Sequence, residues 1–444
     1  MESPRPDSPH PWRWVPTLYF AEGVPYVVVM TLSVILYKNL RVSNTDIALY
    51  TSWLYLPWVI KPLWSPLVDL HGTKRHWIVG LQFMVGVALA SIALVLPGPH
   101  FFRATLAVFW LLAFSSATHD IAADGFYLLA LPPHEQAAFV GVRSTFYRLA
   151  TIATQGGLVW LAGSLQVSGG SVTRAWGWVF AVAAAFFAGV SLFHLVALPR
   201  LAADHAGAPG ANGGAGWLEV FAAFFRKKGI GVILGFLLLY RFAEAQLLKL
   251  VPPFLLDSRA AGGLALSTEQ VGIIYGTIGV IALTLGGIIG GVVIARHGLK
   301  RLLWPMLLAM YVPNLVFIGL ALVQPANPAV IATALALEQL GYGFGFTAYL
   351  LYMMMVADGE HRTAHYAICT GFMALGMMLP GMGAGWLEEK LGYLNFFIWV
   401  CVATIPAIVA TTMVKIEPAF GRKTGTPPST QSPPSSGPAP RESP

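Results

Sequence analysis

The chain alternates between long apolar stretches and short polar connections. Three of these stretches, 78–96, 179–198 and 396–414, run for about 19 or 20 residues without Lys, Arg, Asp or Glu. An α-helix needs about 20 apolar residues to cross the hydrocarbon core of a bilayer. The pattern therefore predicts an all-α membrane protein.

Followed along the whole chain, the same pattern predicts twelve transmembrane helices in two sets of six. The first set is expected near 14–37, 46–69, 76–97, 101–130, 136–165 and 176–198. The second set is expected near 229–256, 267–295, 301–323, 328–356, 363–388 and 393–415. Two six-helix bundles result, at 14–198 and 229–415.

Three polar segments flank the two bundles: an N-terminus at 1–13, a connection at 199–228 and a tail at 416–444. Pro, Ser and Thr dominate the tail from Gly421 onward, which predicts disorder. Within the connection, Trp217 to Phe225 has apolar residues at helical spacing. This piece is either a helix lying on the membrane interface or an extension of the following span.

Composition agrees with a membrane protein, since 56% of the 444 residues are hydrophobic and 11% are charged. Soluble domains carry about 25% charged residues. The net charge of +7 does not indicate nucleic acid, because the basic residues sit in short loops. Most of them fall on one side if both termini are cytoplasmic, so a multi-pass protein of the inner membrane is expected. Cys369 and Cys401 fit packing positions, and no metal or cofactor motif is evident.

Two pieces of the chain occur twice, about 222 to 226 residues apart. Leu18-Tyr19-Phe20-Ala21-Glu22 corresponds to Leu239-Tyr240-Arg241-Phe242-Ala243-Glu244. The second pair, 69–75 and 295–301, follows the second helix of each half. Parallel six-helix repeats are typical of the major facilitator architecture.

The second repeated piece is a candidate gating motif. Its members are Asp69, Gly72, Lys74 and Arg75 in the first half and Gly298, Lys300 and Arg301 in the second, where Ala295 replaces the Asp. The motif also includes a small residue four positions before the Asp position, Ser65 in the first half and Gly291 in the second. An Asp in this position caps a neighbouring helix and pairs with a cation in one state of a transporter. The alternative is a plain turn.

Ionisable side chains at membrane depth are costly and therefore functional candidates. The proton-coupling candidates are Glu22, Glu244, Asp120 and Asp124. The substrate-binding candidates are Lys61, Arg148, Arg241, Lys249, Tyr26, Tyr147, Tyr240, Glu338, Tyr342 and Tyr349. Fixed ion pairs and ordinary tyrosine packing are the alternatives. His119, beside Asp120, fits a proton relay or a packing position.

Four segments resemble the AmpG-type permeases of the major facilitator superfamily and the related acetyl-CoA transporter group. They are Phe20 to Pro25, Lys61 to Asp69, Ala117 to Asp124 and Tyr147 to Leu149. The resemblance implies proton-coupled import of anhydro-muropeptides. Glu22 departs from it, standing where a small residue is common.

A secondary transporter is the leading interpretation, with protons and a small molecule or glycopeptide as partners and a monomer embedded in lipid. A transporter of the same fold with another cargo, such as a siderophore or acetyl-CoA, is the alternative. A membrane sensor or enzyme is less favoured, because the loops are short and no nucleophile–base set is evident.

Overall fold

Helices make up all regular structure in the part of the chain that the structure describes. The computed structural model describes residues 10–202, 204, 217–359, 361–418 and 420–422, without the side chains of 66, 69, 70, 133, 137, 217 and 218. We number the helical stretches α1 to α12. The N-terminal segment 1–9, the tail from 423 and most of the connection between the halves lie outside the described residues.

The first half contains α1 to α6. Their bounds are Val15–Val27, Val28–Leu32 and Ser33–Asn39 (α1), Asn44–Trp53 and Leu56–Leu70 (α2), Lys74–Val95 (α3), Phe101–Ala130 (α4), Pro133–Thr151, Ile152–Leu158 and Val159–Val167 (α5) and Val172–Ala197 (α6).

The second half contains α7 to α12. Their bounds are Ile230–Leu239 and Phe242–Leu256 (α7), Thr268–Val271, Gly272–Gly279 and Val280–His297 (α8), Leu299–Tyr311, Val312–Asn314 and Leu315–Val323 (α9), Pro328–Ala357 (α10), and Arg362–Val402 with Ile405–Met413 (α11 and α12). The run Arg362–Val402 reverses at Gly392, whose φ of 72° is left-handed. Gly392 therefore separates α11 from α12.

Nine stretches of the described residues are long and apolar enough to cross a membrane by length and composition. One of them, 362–413, holds both α11 and α12. Helices α2 and α5 are not among the nine; α2 is broken near Leu54 and α5 is rich in polar residues. The architecture is the expected all-α membrane fold and is consistent with twelve spans.

The internal repeat is visible in the backbone. Gly72 follows α2 with φ 74°, and Gly298 follows α8 with φ 81°. A left-handed turn strongly favours glycine, because other residues carry a Cβ that clashes there. The repeated His-Gly pair of the sequence therefore lies at the connection after the second helix in both halves.

Glycines on two helices of the second half allow close contact between these helices. A Cβ on Gly286 of α8 would lie 2.0 Å from the carbonyl oxygen of Leu340, and one on Gly343 of α10 would lie 2.0 Å from that of Leu283. Only glycine permits this approach, so α8 and α10 cross backbone to backbone.

Trp217–Phe225 is a separate helix. Gly229, with φ 77°, stands between this connecting helix and α7. Phe224 is fully buried, and its ring stacks on Phe372 and meets the edge of His365 on α11. The segment is therefore not an extension of the next span; it packs against the end of α11.

The two halves meet at one end of the molecule, which we call the closed end. It carries residues 38–45, 163–168, 257–269 and 388–393. Helices α2 and α11 stay in contact as far as Val59 and Gly371. Beyond that point, at the opposite end, no hydrogen bond between the halves occurs among the described residues. Among the described residues, the hydrogen bonds between the halves are thus confined to the closed end and the middle of the interface.

Candidate functional site

Two ion pairs lie in the first half, facing the interface between the halves. Lys61 Nζ on α2 stands 3.6 Å from Asp120 Oδ2 on α4, and that oxygen also accepts a hydrogen bond from Trp58 Nε1 at 3.1 Å. Lys61 was a substrate-binding candidate and Asp120 a proton-coupling candidate, so this contact brings together two sequence candidates.

Asp124 pairs with Arg143, a residue that the sequence analysis did not single out. Arg143 on α5 donates to Asp124 Oδ1 at 2.6 Å, and Tyr19 donates to the same oxygen at 3.2 Å. The guanidinium lies 4.3 Å from the ring centre of Tyr19 and 4.9 Å from that of Tyr127. Arg148, the predicted cation on α5, has no ion pair among the described residues. The sequence did offer one sign of this role, since Arg143 lies one helical turn before the candidate Tyr147.

Glu22 of α1 lies within electrostatic range of both pairs. Its side chain is buried, and Oε2 has no hydrogen-bond partner among the described residues. The first-half cluster therefore contains two paired carboxylates, Asp120 and Asp124, and one unpaired carboxyl group. Lys61 retains 23% of its side-chain exposure and Asp124 46%, so the protein covers the cluster only in part.

A second cluster of buried ionisable groups lies in the second half. Glu244 of α7 has both carboxylate oxygens buried without a partner among the described residues. Glu338 of α10 accepts a hydrogen bond from Gln339 Nε2 at 2.9 Å on one oxygen, and its other oxygen has none. Arg241, at the break in α7, donates to the hydroxyl of Tyr342.

The repeat thus places Glu22 and Glu244 in corresponding surroundings. Both are buried acids on the first helix of a half, and each has an oxygen with no partner among the described residues. Aromatic side chains lie between the two clusters: Tyr26 is in electrostatic range of Asp120 on one side and Arg241 on the other. Its ring meets Trp58 edge-on at 5.2 Å.

The five candidate tyrosines divide into two groups. Tyr240 and Tyr349 are fully buried, stack on each other at 5.1 Å, and donate their hydroxyl hydrogens to the carbonyl oxygens of Gly345 and Leu237. They pack the second bundle. Tyr26 and Tyr147 are partly exposed, and Tyr342 contacts Arg241.

Lys249 links the halves. Its Nζ donates to Thr51 Oγ1 of α2 at 2.9 Å and lies 5.2 Å from the ring centre of Tyr55. The residue is 4% exposed. This buried cation therefore bridges α7 and α2 in the sealed part of the interface.

The predicted gating motif lies at the opposite end. The backbone amides of Lys74 and Arg75 donate to Asp204 at 2.7 and 3.0 Å, so a carboxylate of the connection caps α3. Arg75 Nε donates to the carbonyl oxygen of Leu198 at 3.2 Å. The side chain of Asp69 lies outside the described residues.

In the second half, Leu299 N donates to Phe420 O at 3.0 Å, so the start of the tail covers the Gly298 turn.

His119 belongs to a hydrogen-bonded chain inside the first bundle. Its Nε2 lies 3.0 Å from Gln82 Nε2, Gln82 Oε1 lies 2.8 Å from His194 Nδ1, and His194 Nε2 lies 2.9 Å from Thr17 Oγ1. Both histidines are buried. Among the described residues, no group of three or more His, Cys, Asp or Glu side chains is arranged to hold a metal ion.

Comparisons with known proteins agree with this architecture. The model of the BT1 family matches residues 22–184. The chain is 25% identical over 408 residues to the anhydromuropeptide permease of Escherichia coli K12, covering 88% of this chain and 77% of that protein.

Two solved structures show the same fold. A mutant of the nucleoside transporter NupG superposes with a TM-score of 0.67 at 16% identity, over 90% of this chain and 99% of the other. The xylose transporter XylE from E. coli, in an inward-open conformation, gives 0.65 at 12% identity, over 91% and 96%.

The fold and the relatives found are those of multi-pass membrane transporters. In sequence the chain is similar to the AmpG-type permeases, and in fold it is similar to transporters of the major facilitator superfamily.

Proposed function

We propose that this protein is a proton-coupled importer of anhydro-muropeptides, or of a related glycoconjugate, across the inner membrane. The assignment of the cargo is supported by the similarity to an anhydromuropeptide permease over most of both chains. A peptide-bearing sugar is large, amphiphilic and charged, and the interface between the halves offers charged and aromatic side chains together.

The transport cycle is alternating access about the interface between the halves. The predicted orientation, with both termini and the 199–228 connection cytoplasmic, assigns the closed end to the outer face. In that orientation the present state is inward-facing. The 69–75 loop is then the cytoplasmic gate, which would close when the closed end opens.

Proton coupling rests on Glu22, Glu244 and the Asp120/Asp124 pair. An ionised carboxylate without a partner at membrane depth costs several kcal/mol, whereas its protonated form does not. Glu22 and Glu244 each have a carboxylate oxygen without a hydrogen-bond partner in the described part of the chain. Movement between the two states is therefore favoured when these acids are protonated or paired, which links the proton to the conformational change.

Uptake into proteoliposomes tests the proposal. A labelled anhydro-muropeptide should accumulate when an imposed pH gradient makes the outside acidic, and a protonophore should abolish accumulation. Liposomes without protein provide the control. A ferric siderophore and acetyl-CoA are offered in parallel, and accumulation of either in place of the muropeptide would reassign the cargo. If the rate and extent of uptake do not depend on the pH gradient, transport is not coupled to protons.

A further inference from the structure

Arg241 is a buried cation without a carboxylate partner. It is 7% exposed, and no Asp or Glu of the described residues lies within ion-pairing distance of its guanidinium. Its bond to the Tyr342 hydroxyl uses one of five N–H donors, and Nε has no hydrogen-bond partner among the described residues. The guanidinium lies 4.7 Å from the ring centre of Phe346 and 5.5 Å from that of Tyr342. The aromatic rings contact the guanidinium, but most of its N–H donors have no hydrogen-bond acceptor among the described residues.

The other cations of the two clusters are differently placed. Lys61 and Arg143 face the carboxylates Asp120 and Asp124, and Lys249 donates to Thr51. A ligand anion would have to displace a carboxylate at the first two sites. At Arg241 it would meet unused donors, in the fork geometry that binds both oxygens of a carboxylate or phosphate.

Glu244 lies three residues from Arg241 on α7, in electrostatic range of it but not bonded to it. The other ionisable groups that face Glu244 come from the three helices packed around it. They are Tyr275 of α8, Tyr311 of α9, and Glu338 and Tyr342 of α10. Arg241 is the only cation in this group among the described residues. An ionised Glu244 therefore has one available partner, and that partner is the group which an anionic ligand would use.

We propose that Arg241 binds an oxyanion of the cargo, such as a carboxylate, and that Glu244 must carry a proton for this site to be free. When Glu244 loses that proton to water at the end opposite the closed end, its carboxylate pairs with Arg241 and displaces the cargo. The pairing costs little motion, because the two side chains already share one helical turn. One proton on Glu244 therefore travels with one bound anion, and the two leave together. The inference rests on the proposed function for the identity of the cargo, but not for the chemistry of the site.

Binding to the purified full chain in detergent tests this exchange. The probes are an anhydro-muropeptide with free carboxylates and the same compound with its carboxylates converted to amides. The wild type should bind the acid at least tenfold more tightly than the amide at pH 6, a difference of about 1.4 kcal/mol, because the acid can form a bidentate charged pair. The preference should shrink at pH 8. Glu244→Gln should keep it at both pH values, because glutamine cannot ionise.

Arg241→Gln should bind acid and amide equally. Lys249→Gln, which removes another buried cation of α7, is the matched control. It should weaken the binding of the acid and of the amide to the same extent. The inference is overturned if Arg241→Gln still prefers the acid, or if Glu244→Gln retains the pH dependence.

A cargo-independent measurement separates failure of the inference from failure of the proposed cargo. Benzoate should raise the unfolding temperature of the wild type and of Glu244→Gln through ligand linkage, whereas benzamide should not. Arg241→Gln should respond to neither. If the wild type binds neither muropeptide but shows this pattern, the cargo is wrong and the anion site stands. Equal effects of benzoate on the wild type and Arg241→Gln would overturn the anion site.

Discussion

Lys38 of the first half and Asp257 of the second half form an ion pair of 2.7 Å at the closed end. Two further residues complete a ring around it. Lys38 also donates to Asn44 Oδ1 at 2.8 Å, Asn44 Nδ2 donates to the Tyr393 hydroxyl at 3.0 Å, and Tyr393 donates to Asp257 Oδ2 at 2.6 Å. The ring takes two members from each half. Each bond stabilises the next, so the closed end is fastened by a connected network.

The first prediction concerns this ring. Asp257→Asn removes the negative charge that holds Lys38, and the closed end should open more often. The partly exposed pair contributes about 1–2 kcal/mol, which corresponds to a 5- to 30-fold change in the ratio of closed to open molecules. Thr268 is buried and bonds to Asn39 of the other half at 2.9 Å, so a cysteine at position 268 reports opening. Its labelling by an impermeant thiol reagent should accelerate in Asp257→Asn.

Arg41 supplies the control for that measurement. It is exposed near the ring and has no ion pair among the described residues. Arg41→Gln should leave the labelling rate at position 268 unchanged. Equal rates in wild type and Asp257→Asn would mean that the ring does not hold the closed end.

The second prediction concerns Gly385 of α11. A Cβ at this position would lie 1.9 Å from the carbonyl oxygen of Asn44 on α2, so any larger residue prevents the halves from closing here. Gly385→Ala should reduce uptake at least tenfold and increase labelling at position 268. Gly383, two residues earlier on the same helix, has open space around it. Gly383→Ala should transport at close to the normal rate, and a comparable defect in both variants would point to general damage to α11.

Long apolar periodicity explains why the helices were predictable from sequence, often to within a few residues. Phe101–Ala130 and Pro328–Ala357 agree with the expected bounds because Pro or charged turns delimit them. The break of α7 at Tyr240 and Arg241 was not predicted, because no Gly or Pro marks it. Breaks of this kind depend on packing against other helices.

Candidate charges were recognisable because few ionisable residues occur within apolar segments. Their partners were not, since a contact between α4 and α5 depends on how the two helices are rotated about their axes. Arg143 and Arg148 lie five residues apart on α5 and point to different sides. Spacing along one helix cannot decide which of them meets Asp124.

The third prediction separates these two arginines. Arg143→Gln leaves Asp124 with the Tyr19 hydroxyl alone, so uptake and the thermal stability of the purified protein should both fall. Adding Asp124→Asn should restore part of the stability, because the unpaired charge is then removed. Arg148→Gln should not be rescued by Asp124→Asn. If the rescue occurs with Arg148 and fails with Arg143, the pairing in the structure is wrong.

The last prediction concerns the repeated acids. Glu22 lies among paired charges and lacks a cation of its own, whereas Glu244 lies beside the unpaired Arg241. Glu22→Gln should retain exchange of labelled for unlabelled cargo across the membrane but lose accumulation driven by a proton gradient. The reason is that a permanently neutral side chain allows the loaded protein to cross between its two states without carrying a proton. Glu22→Asp keeps the titratable group and is the matched control, expected to retain some accumulation. Accumulation at the wild-type level in Glu22→Gln would exclude Glu22 as the proton carrier, and the same pair of assays on Glu244→Gln would then decide whether the second half alone carries the proton.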